Sequence, residues 1–119
     1  MTVSVRTIVL DSLRPRSLAG FYAEVTGWKL REDEDVDEWA VLVNPDGGVN
    51  LAFQYAADFK PTTWPAQDRP QMLHLDLGVD DLDAEQERVL GLGARLLDTQ
   101  RTFRVYADPE GHTFCLCAC

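Results

Sequence analysis

Long hydrophobic runs are missing from this sequence, whose apolar segments extend over only a handful of residues. A membrane-spanning helix needs about 20 consecutive apolar residues, so none is predicted and a membrane partner is not expected. The first six residues, Met1 to Arg6, lack the basic-then-apolar order of a signal peptide. The composition, 45% hydrophobic and 26% charged, is typical of a soluble globular protein. We therefore expect a cytoplasmic protein.

Basic residues and cysteines are also scarce. Eleven lysines and arginines face 20 acidic residues, for a formal net charge of −9. Because such a surface repels phosphate backbones, nucleic acid is not an expected partner. The three cysteines, Cys115, Cys117 and Cys119, all lie in the last five residues. An odd count in one alternating run predicts reduced thiols rather than a disulfide framework.

The residues that are present form a repeat. Each copy predicts one strand, one helix ended by glycine, and three further strands. The turn that begins at Asn44 recurs 64 positions later at Asp108, and the helix-ending Gly27 recurs 66 positions later at Gly93. The predicted strands are Val3–Leu10, Trp28–Arg31, Trp39–Val43 and Val49–Gln54 in the first copy, and Met72–Val79, Arg95–Asp98, Phe103–Ala107 and Thr113–Cys119 in the second.

The two predicted helices carry their own sequence signals. Pro15 suits the first turn of a helix, where its missing N–H costs nothing, and apolar residues follow at helical spacing from Leu18 to Val25. Asp80 and Asp81 provide an acidic N-cap for the second helix. Three prolines between residues 56 and 71 indicate a connector. We therefore predict a single domain over residues 1–119, with module one at 3–55, the connector at 56–71 and module two at 72–119.

Six short motifs in this order resemble those of the vicinal-oxygen-chelate superfamily, in its glyoxalase-like and bleomycin-resistance-like branch. They are Gly27-Trp28, Leu51-Ala52-Phe53-Gln54, His74-Leu75-Asp76-Leu77, Asp80-Asp81-Leu82-Asp83, Leu92-Gly93-Ala94 and Asp108-Pro109-Glu110-Gly111-His112. The resemblance covers essentially the whole chain. It implies an α+β fold in which two tandem βαβββ modules form a cupped, barrel-like mixed sheet around a small-molecule pocket. It also implies a symmetric homodimer.

In catalytic members of that superfamily, the first and last strands of each module supply His, Gln or Glu ligands to a divalent metal. By this resemblance His74 occupies the first-strand ligand position of module two, and Thr7 that of module one. The last-strand position falls on Cys115 in module two, and on Leu51 or Ala52 in module one. One of the four expected ligands, His74, is therefore present, and the thiol of Cys115 replaces a second one. We therefore predict no cofactor. If a divalent metal does bind, the expected ligands are His74 with Cys115 or Gln54.

The candidate pocket combines these positions with aromatic side chains. His74 is either a core histidine or a polar anchor that could act in acid/base catalysis, and Asp76 is its expected contact two residues along the strand. Cys115 is either a small buried hydrophobe or, with His74 and another cysteine, a zinc ligand. The predicted pocket residues are Thr7, Trp39, Gln54, Trp64, His74, Asp76 and Cys115.

Two functions fit this pattern. The first is a small-molecule-binding protein without the usual catalytic metal site, which sequesters an antibiotic-like or metabolic compound. The alternative is a lyase, isomerase or dioxygenase of the glyoxalase class, with either a noncanonical metal site or metal-free acid/base catalysis by His74. A purely structural interaction module is a third possibility, but no specific feature of the sequence points to it.

Overall fold

A computed structural model describes residues 3–31 and 35–118. The chain divides into two compact units, residues 1–59 and 60–119, so the boundary lies inside the predicted connector. Each unit contains one strand, one helix and three further strands. The described strands form two four-stranded mixed sheets, one in each unit, and neither sheet closes into a barrel. The predicted α+β class and the tandem βαβββ order are confirmed.

Unit one contains β1 (Thr7–Ser12), α1 (Pro15–Thr26), β2 (Lys29–Leu30), β3 (Trp39–Val43) and β4 (Asn50–Tyr55). Its sheet has the strand order β1-β4-β3-β2. The first strand runs parallel to β4, and the other neighbours are antiparallel. The helix therefore serves as the crossover that allows β1 and β4 to pair in parallel.

One face of the unit-one sheet is covered by α1. Tyr22 on the helix stacks on Phe53 of β4 with ring centroids 5.6 Å apart, and both side chains are fully buried. The helix begins at Pro15, as predicted. It ends where Gly27 adopts the left-handed conformation (φ 77°) and its N–H donates to the Ala23 carbonyl, a common termination because glycine has no Cβ to clash.

Unit two contains β5 (Leu75–Gly78), α2 (Leu82–Gly91), β6 (Arg95–Thr99), β7 (Phe103–Ala107) and β8 (Thr113–Cys117). The strand order β5-β8-β7-β6 repeats that of unit one, with β5 parallel to β8. The Asp81 side chain accepts a hydrogen bond from the Ala84 N–H, which confirms the predicted N-cap of α2.

The core of unit two lies between α2 and one face of this sheet. Val89 of the helix is fully buried, as are the stacked rings of Tyr106 and Phe114, whose centroids are 5.3 Å apart. The Tyr106 hydroxyl donates to Gln86 Oε1 of the helix at 2.8 Å. Because Tyr106 and Phe114 point toward α2, their neighbours along β7 and β8 point to the opposite face.

Most predicted strand ends agree with the structure to within two residues, and the larger differences lie at the starts of β1 and β5. The first strand begins four residues later than predicted, at Thr7. In unit two, β5 covers only Leu75–Gly78 of the predicted Met72–Val79. The described part of β8 ends at Cys117, and Cys119 of the predicted strand lies outside the described residues. Neither described helix is both long enough and apolar enough to cross a membrane.

Candidate functional site

A concave pocket of about 370 Å³ lies on the face of the unit-two sheet that α2 leaves uncovered. Residues from β5, β7 and β8 form its floor, and the connector contributes to its wall. Its lining consists of Trp64, Gln71, His74, Asp76, Phe103, Val105, Thr113, Cys115 and Cys117. The volume is within the range of sites that hold small organic molecules, and the mixture of apolar walls and few polar groups is typical of them.

Strand register brings three polar side chains together on the pocket floor. Asp76 of β5 pairs with Cys115 of β8, so their side chains project from the same face of the sheet. His74 precedes β5 and lies two residues before Asp76. Its Nε2 is 3.1 Å from Asp76 Oδ1. Potential ligand atoms of His74, Asp76 and Cys115 all lie within 4.8 Å of one another, and we call these residues the HDC cluster.

The members of the HDC cluster differ in exposure. The side chains of His74 and Asp76 are 38% and 66% exposed, whereas Cys115 is buried and free. Burial, and then the charge of and hydrogen bond with Asp76, raise the pKa of the Cys115 thiol to about 11. The thiol is therefore protonated at neutral pH, so Cys115 is a poor nucleophile without a change in its surroundings.

The connector positions the aromatic wall of the pocket. Trp64 is half-buried and lies in a loop closed by hydrogen bonds on both sides of it. The Thr63 N–H donates to the Arg69 carbonyl at 2.7 Å, and Arg69 Nε donates to the Pro61 carbonyl at 2.9 Å. At the other end of the connector, the Thr113 hydroxyl of β8 donates to Gln71 Oε1. The first two contacts close the loop that carries Trp64, and the third fixes Gln71 beside the sheet.

The corresponding positions of unit one can now be assigned by register. Val9 pairs with Ala52 as Asp76 pairs with Cys115, and Thr7 precedes Val9 by two residues as His74 precedes Asp76. Thr7, Val9 and Ala52 are thus the unit-one counterparts of the HDC cluster. This resolves the choice between Leu51 and Ala52 in favour of Ala52. No side chain in this counterpart set is an imidazole, carboxylate or thiol.

The predicted site residues fall into two groups. His74, Asp76, Cys115 and Trp64 line the unit-two pocket. Thr7, Trp39 and Gln54 belong to unit one, where they lie on the sheet face opposite α1. Trp39 pairs directly with Gln54, and Phe53, next to Gln54, points to the helix. The role of these three residues in a ligand site stays a prediction.

Five pocket residues were not predicted from the sequence, namely Gln71, Phe103, Val105, Thr113 and Cys117. Strand alternation from Cys115 could have placed Thr113 and Cys117 on the same face. Phe103 and Val105 follow only from the pairing of Val105 with Cys115, which the sequence does not reveal. Cys117 is disulfide-bonded, so the prediction of reduced thiols is wrong for this residue.

The donor set does not fit the metal site that the resemblance implied. That site requires imidazole or amide ligands from both first strands and carboxylates from both last strands. Here Thr7 and Ala52 replace both unit-one ligands, and Cys115 replaces the unit-two carboxylate. Mg²⁺ and Mn²⁺ prefer oxygen donors, so His74 alone does not reproduce a family site for such ions.

Known proteins with the same fold extend this picture. A family model described as a glyoxalase-like domain matches residues 7–117. A glyoxalase/bleomycin resistance protein/dioxygenase family enzyme from Burkholderia phytofirmans PsJN superposes with a TM-score of 0.74 at 16% identity, over 96% of this chain and 97% of that one. No curated protein matches the sequence.

Two further similar structures are described with different functions. TnmS3, an antibiotic-binding protein from Streptomyces sp. CB03234, has a TM-score of 0.65 at 22% identity, over 98% of this chain and 97% of that one. Oxidase ChaP-H2 has a TM-score of 0.67 at 19% identity, over 98% of this chain and 93% of that one. At these identities the similarity establishes the fold, and function has to be argued from the site.

Proposed function

This chain belongs to the glyoxalase-like domain family, and we propose that it is a binding protein that sequesters a small organic molecule in the unit-two pocket. The observation that carries this proposal is the pocket of about 370 Å³ with the HDC cluster on its floor. Apolar walls would bury the body of a ligand, and the few polar groups would fix its orientation. An antibiotic-like or metabolic compound with an apolar ring system and a hydrogen-bonding group fits this chemistry.

The direction of the proposed contacts follows from the chemistry of each side chain. Trp64 and Phe103 offer flat apolar surfaces for an aromatic or alicyclic ring. Asp76 accepts hydrogen bonds, and its exposed carboxylate would favour a donor or a cationic group on the ligand. His74 can donate or accept, depending on which ring nitrogen carries the proton. A ligand that carries both a ring and an N–H or O–H donor would satisfy both surfaces.

Binding without the family's metal chemistry is supported by the counterpart positions in unit one. Thr7, Val9 and Ala52 supply no strong metal ligand, so the residue types of the family's four-ligand site are not all present. TnmS3 is described as an antibiotic-binding protein, and a binding role of this kind is one that the fold can support. The net charge of −9 adds a general attraction for cationic compounds.

A ligand screen by thermal shift, followed by calorimetric titration of the hits, tests the proposal. We expect one ligand per chain and recovery of the ligand with unchanged mass after prolonged incubation. Trp64→Ala should weaken binding at least tenfold, because a large buried contact is lost. Trp28→Phe, in unit one, is the matched control and should bind like the unaltered protein. Equal affinity for Trp64→Ala and the unaltered protein would contradict the proposal.

The second candidate is an enzyme of the glyoxalase class, a lyase, isomerase or dioxygenase. The observation that favours it is the 3.1 Å contact between His74 Nε2 and Asp76 Oδ1, because a carboxylate that orients an imidazole is a common arrangement for proton transfer. Oxidase ChaP-H2 has the same fold. Time-resolved mass spectrometry of each bound hit separates the candidates. Turnover that disappears in His74→Gln while binding persists would favour the enzyme.

A homodimer and a cytoplasmic location are further parts of the proposal. The homodimer rests on the family resemblance, and sedimentation equilibrium of the intact chain tests it directly. A single species at the mass of one chain across micromolar concentrations would contradict it.

A further inference from the structure

The geometry points to a zinc site formed by His74, Asp76 and Cys115 within unit two alone. Their donor atoms are an imidazole nitrogen, a carboxylate oxygen and a sulfur, all within 4.8 Å of one another. This set differs from the family's in composition and in origin. It uses Asp76, at a position with no role in the family pattern, and it needs no residue from unit one.

The donor types select the ion. Zinc accepts nitrogen, oxygen and sulfur ligands together, whereas Mg²⁺ and Ca²⁺ require oxygen donors. The replacement of a last-strand carboxylate by Cys115 therefore changes the preference of the position from hard to borderline-soft cations. In the described part of the chain, the HDC cluster brings together three such side chains whose ligand atoms are close enough to share one ion.

The distances require only side-chain adjustment. In a tetrahedral zinc site with bonds of about 2.0 to 2.3 Å, neighbouring ligand atoms are about 3.3 to 3.7 Å apart. His74 Nε2 and Asp76 Oδ1 already lie 3.1 Å apart. Closing the remaining gap to Cys115 requires movements of about 1 Å, on the scale of these bond lengths. His74 and Asp76 are partly exposed and can rotate, while the Cys115 sulfur is held on the buried strand.

Three protein ligands leave the fourth zinc position open. Because the HDC cluster lines the pocket floor, that position would face the pocket, where a water molecule or a donor atom of a bound compound could occupy it. Catalytic and substrate-binding zinc sites commonly have this three-ligand form. A pocket ligand would then carry a metal-coordinating group, whether the protein sequesters that ligand or acts on it.

Titration of the untagged, metal-stripped protein with Zn²⁺ and Co²⁺ alone tests this inference. We expect one ion per chain, and a near-ultraviolet thiolate-to-cobalt absorption band that reports the Cys115 sulfur. Cys115→Ser should abolish the band and weaken Zn²⁺ binding at least tenfold, and Asp76→Asn should weaken binding with the band retained. His112→Ala removes the other histidine of the chain and should change neither result.

Two results would overturn the zinc site. One is the lack of stoichiometric Zn²⁺ or Co²⁺ binding by the unaltered protein. The other is cobalt binding whose thiolate band persists in Cys115→Ser. Circular dichroism of each variant verifies folding, and the exposed Asp76→Asn change keeps the test informative if Cys115→Ser does not fold. No organic ligand is added in this experiment. A negative result would therefore overturn the zinc site without testing the ligand-binding proposal, which has a separate titration.

Discussion

His74 Nε2 lies 3.1 Å from Asp76 Oδ1, and Asp76 is in turn the register partner of Cys115. The Asp76 carboxylate therefore interacts with both other members of the HDC cluster, because a hydrogen bond also links it to the Cys115 thiol. A nucleophilic cysteine is activated by an adjacent base that takes its proton, whereas burial and the Asp76 carboxylate raise the pKa of the Cys115 thiol and keep it protonated. The arrangement instead favours hydrogen bonding or cation binding by Asp76.

Asp76→Asn should weaken binding of a pocket ligand by roughly 3- to 10-fold, because the amide no longer holds a charge and loses part of its acceptor capacity. The free energy of unfolding should change by less than about 1 kcal/mol, since exposed ion pairs contribute little to stability. Calorimetric titration and chemical denaturation measure the two effects. Asp68→Asn, an exposed change outside the pocket lining, is the control and should alter neither quantity.

Cys115 should react slowly with alkylating agents in the folded protein. Its pKa of about 11 leaves little thiolate at pH 8, so alkylation should be on the order of 100-fold slower than for an ordinary cysteine with a pKa near 8.5. The rate should rise as the pH approaches 11. Mass spectrometry after timed iodoacetamide treatment measures it. Alkylation of folded Cys115 at pH 8 as fast as in urea would contradict this prediction.

The same pKa shift predicts how stability depends on pH. Because the thiol pKa is raised by folding, the neutral thiol is favoured in the folded state, and the unfolded chain ionises first as the pH rises. The contribution of Cys115 to stability should be complete below about pH 8.5 and fall between there and pH 11. Urea denaturation across this pH range should show a decrease in the free energy of unfolding, and the decrease should be smaller in Cys115→Ala than in the unaltered protein. An equal decrease in the free energy of unfolding of both proteins would contradict a raised pKa of the Cys115 thiol.

Gly111→Ala should destabilise unit two more than Gly27→Ala destabilises unit one. Both glycines are left-handed, with φ values of 98° and 77°, so both variants carry a cost of about 1 to 2 kcal/mol. A Cβ added at Gly111 would clash with Pro61 Cβ in the connector, whereas nothing lies within 4 Å of a Cβ added at Gly27. Chemical denaturation compares them. Equal losses would show that Pro61 moves aside freely.

Alanine substitutions at two phenylalanines should have different effects on stability and on ligand binding. Phe53 is fully buried against Tyr22, so Phe53→Ala should cost about 3 to 5 kcal/mol of unfolding free energy. Phe103 is 37% exposed and lines the pocket. Phe103→Ala should therefore weaken ligand binding while its effect on stability stays below about half of that for Phe53→Ala. Denaturation and titration of both variants measure this, and the reverse ranking would contradict the pocket assignment.

Much of the fold could be predicted from the sequence, because local signals and pairing agree there. Trp39–Val43 and Phe103–Ala107 were predicted with the observed bounds. The two largest errors occur where apolar residues precede a strand but lie outside the sheet. Val3 and Met72 are 89% and 95% exposed, so their apolar character did not indicate strand. Strand ends depend on which partner residues are available, and the sequence does not contain that information locally.

The candidate site was only partly predictable for the same reason. Contact between His74 and Asp76 could be expected, since residues two apart on a strand share a face. The pairing of Asp76 with Cys115 depends on the register of two strands that α2 and two further strands separate in the sequence. The roles of Gln71 and Trp64 depend on the path of the connector, which no periodic pattern describes.

Amide chemical shifts during titration with a hit from the thermal-shift screen test the central claim most directly. If unit two contains the ligand site, the largest changes should occur at His74, Asp76, Thr113 and Cys115, and they should saturate at one ligand per chain. Changes confined to unit one, or no saturable change for any ligand that stabilises the protein, would contradict the account.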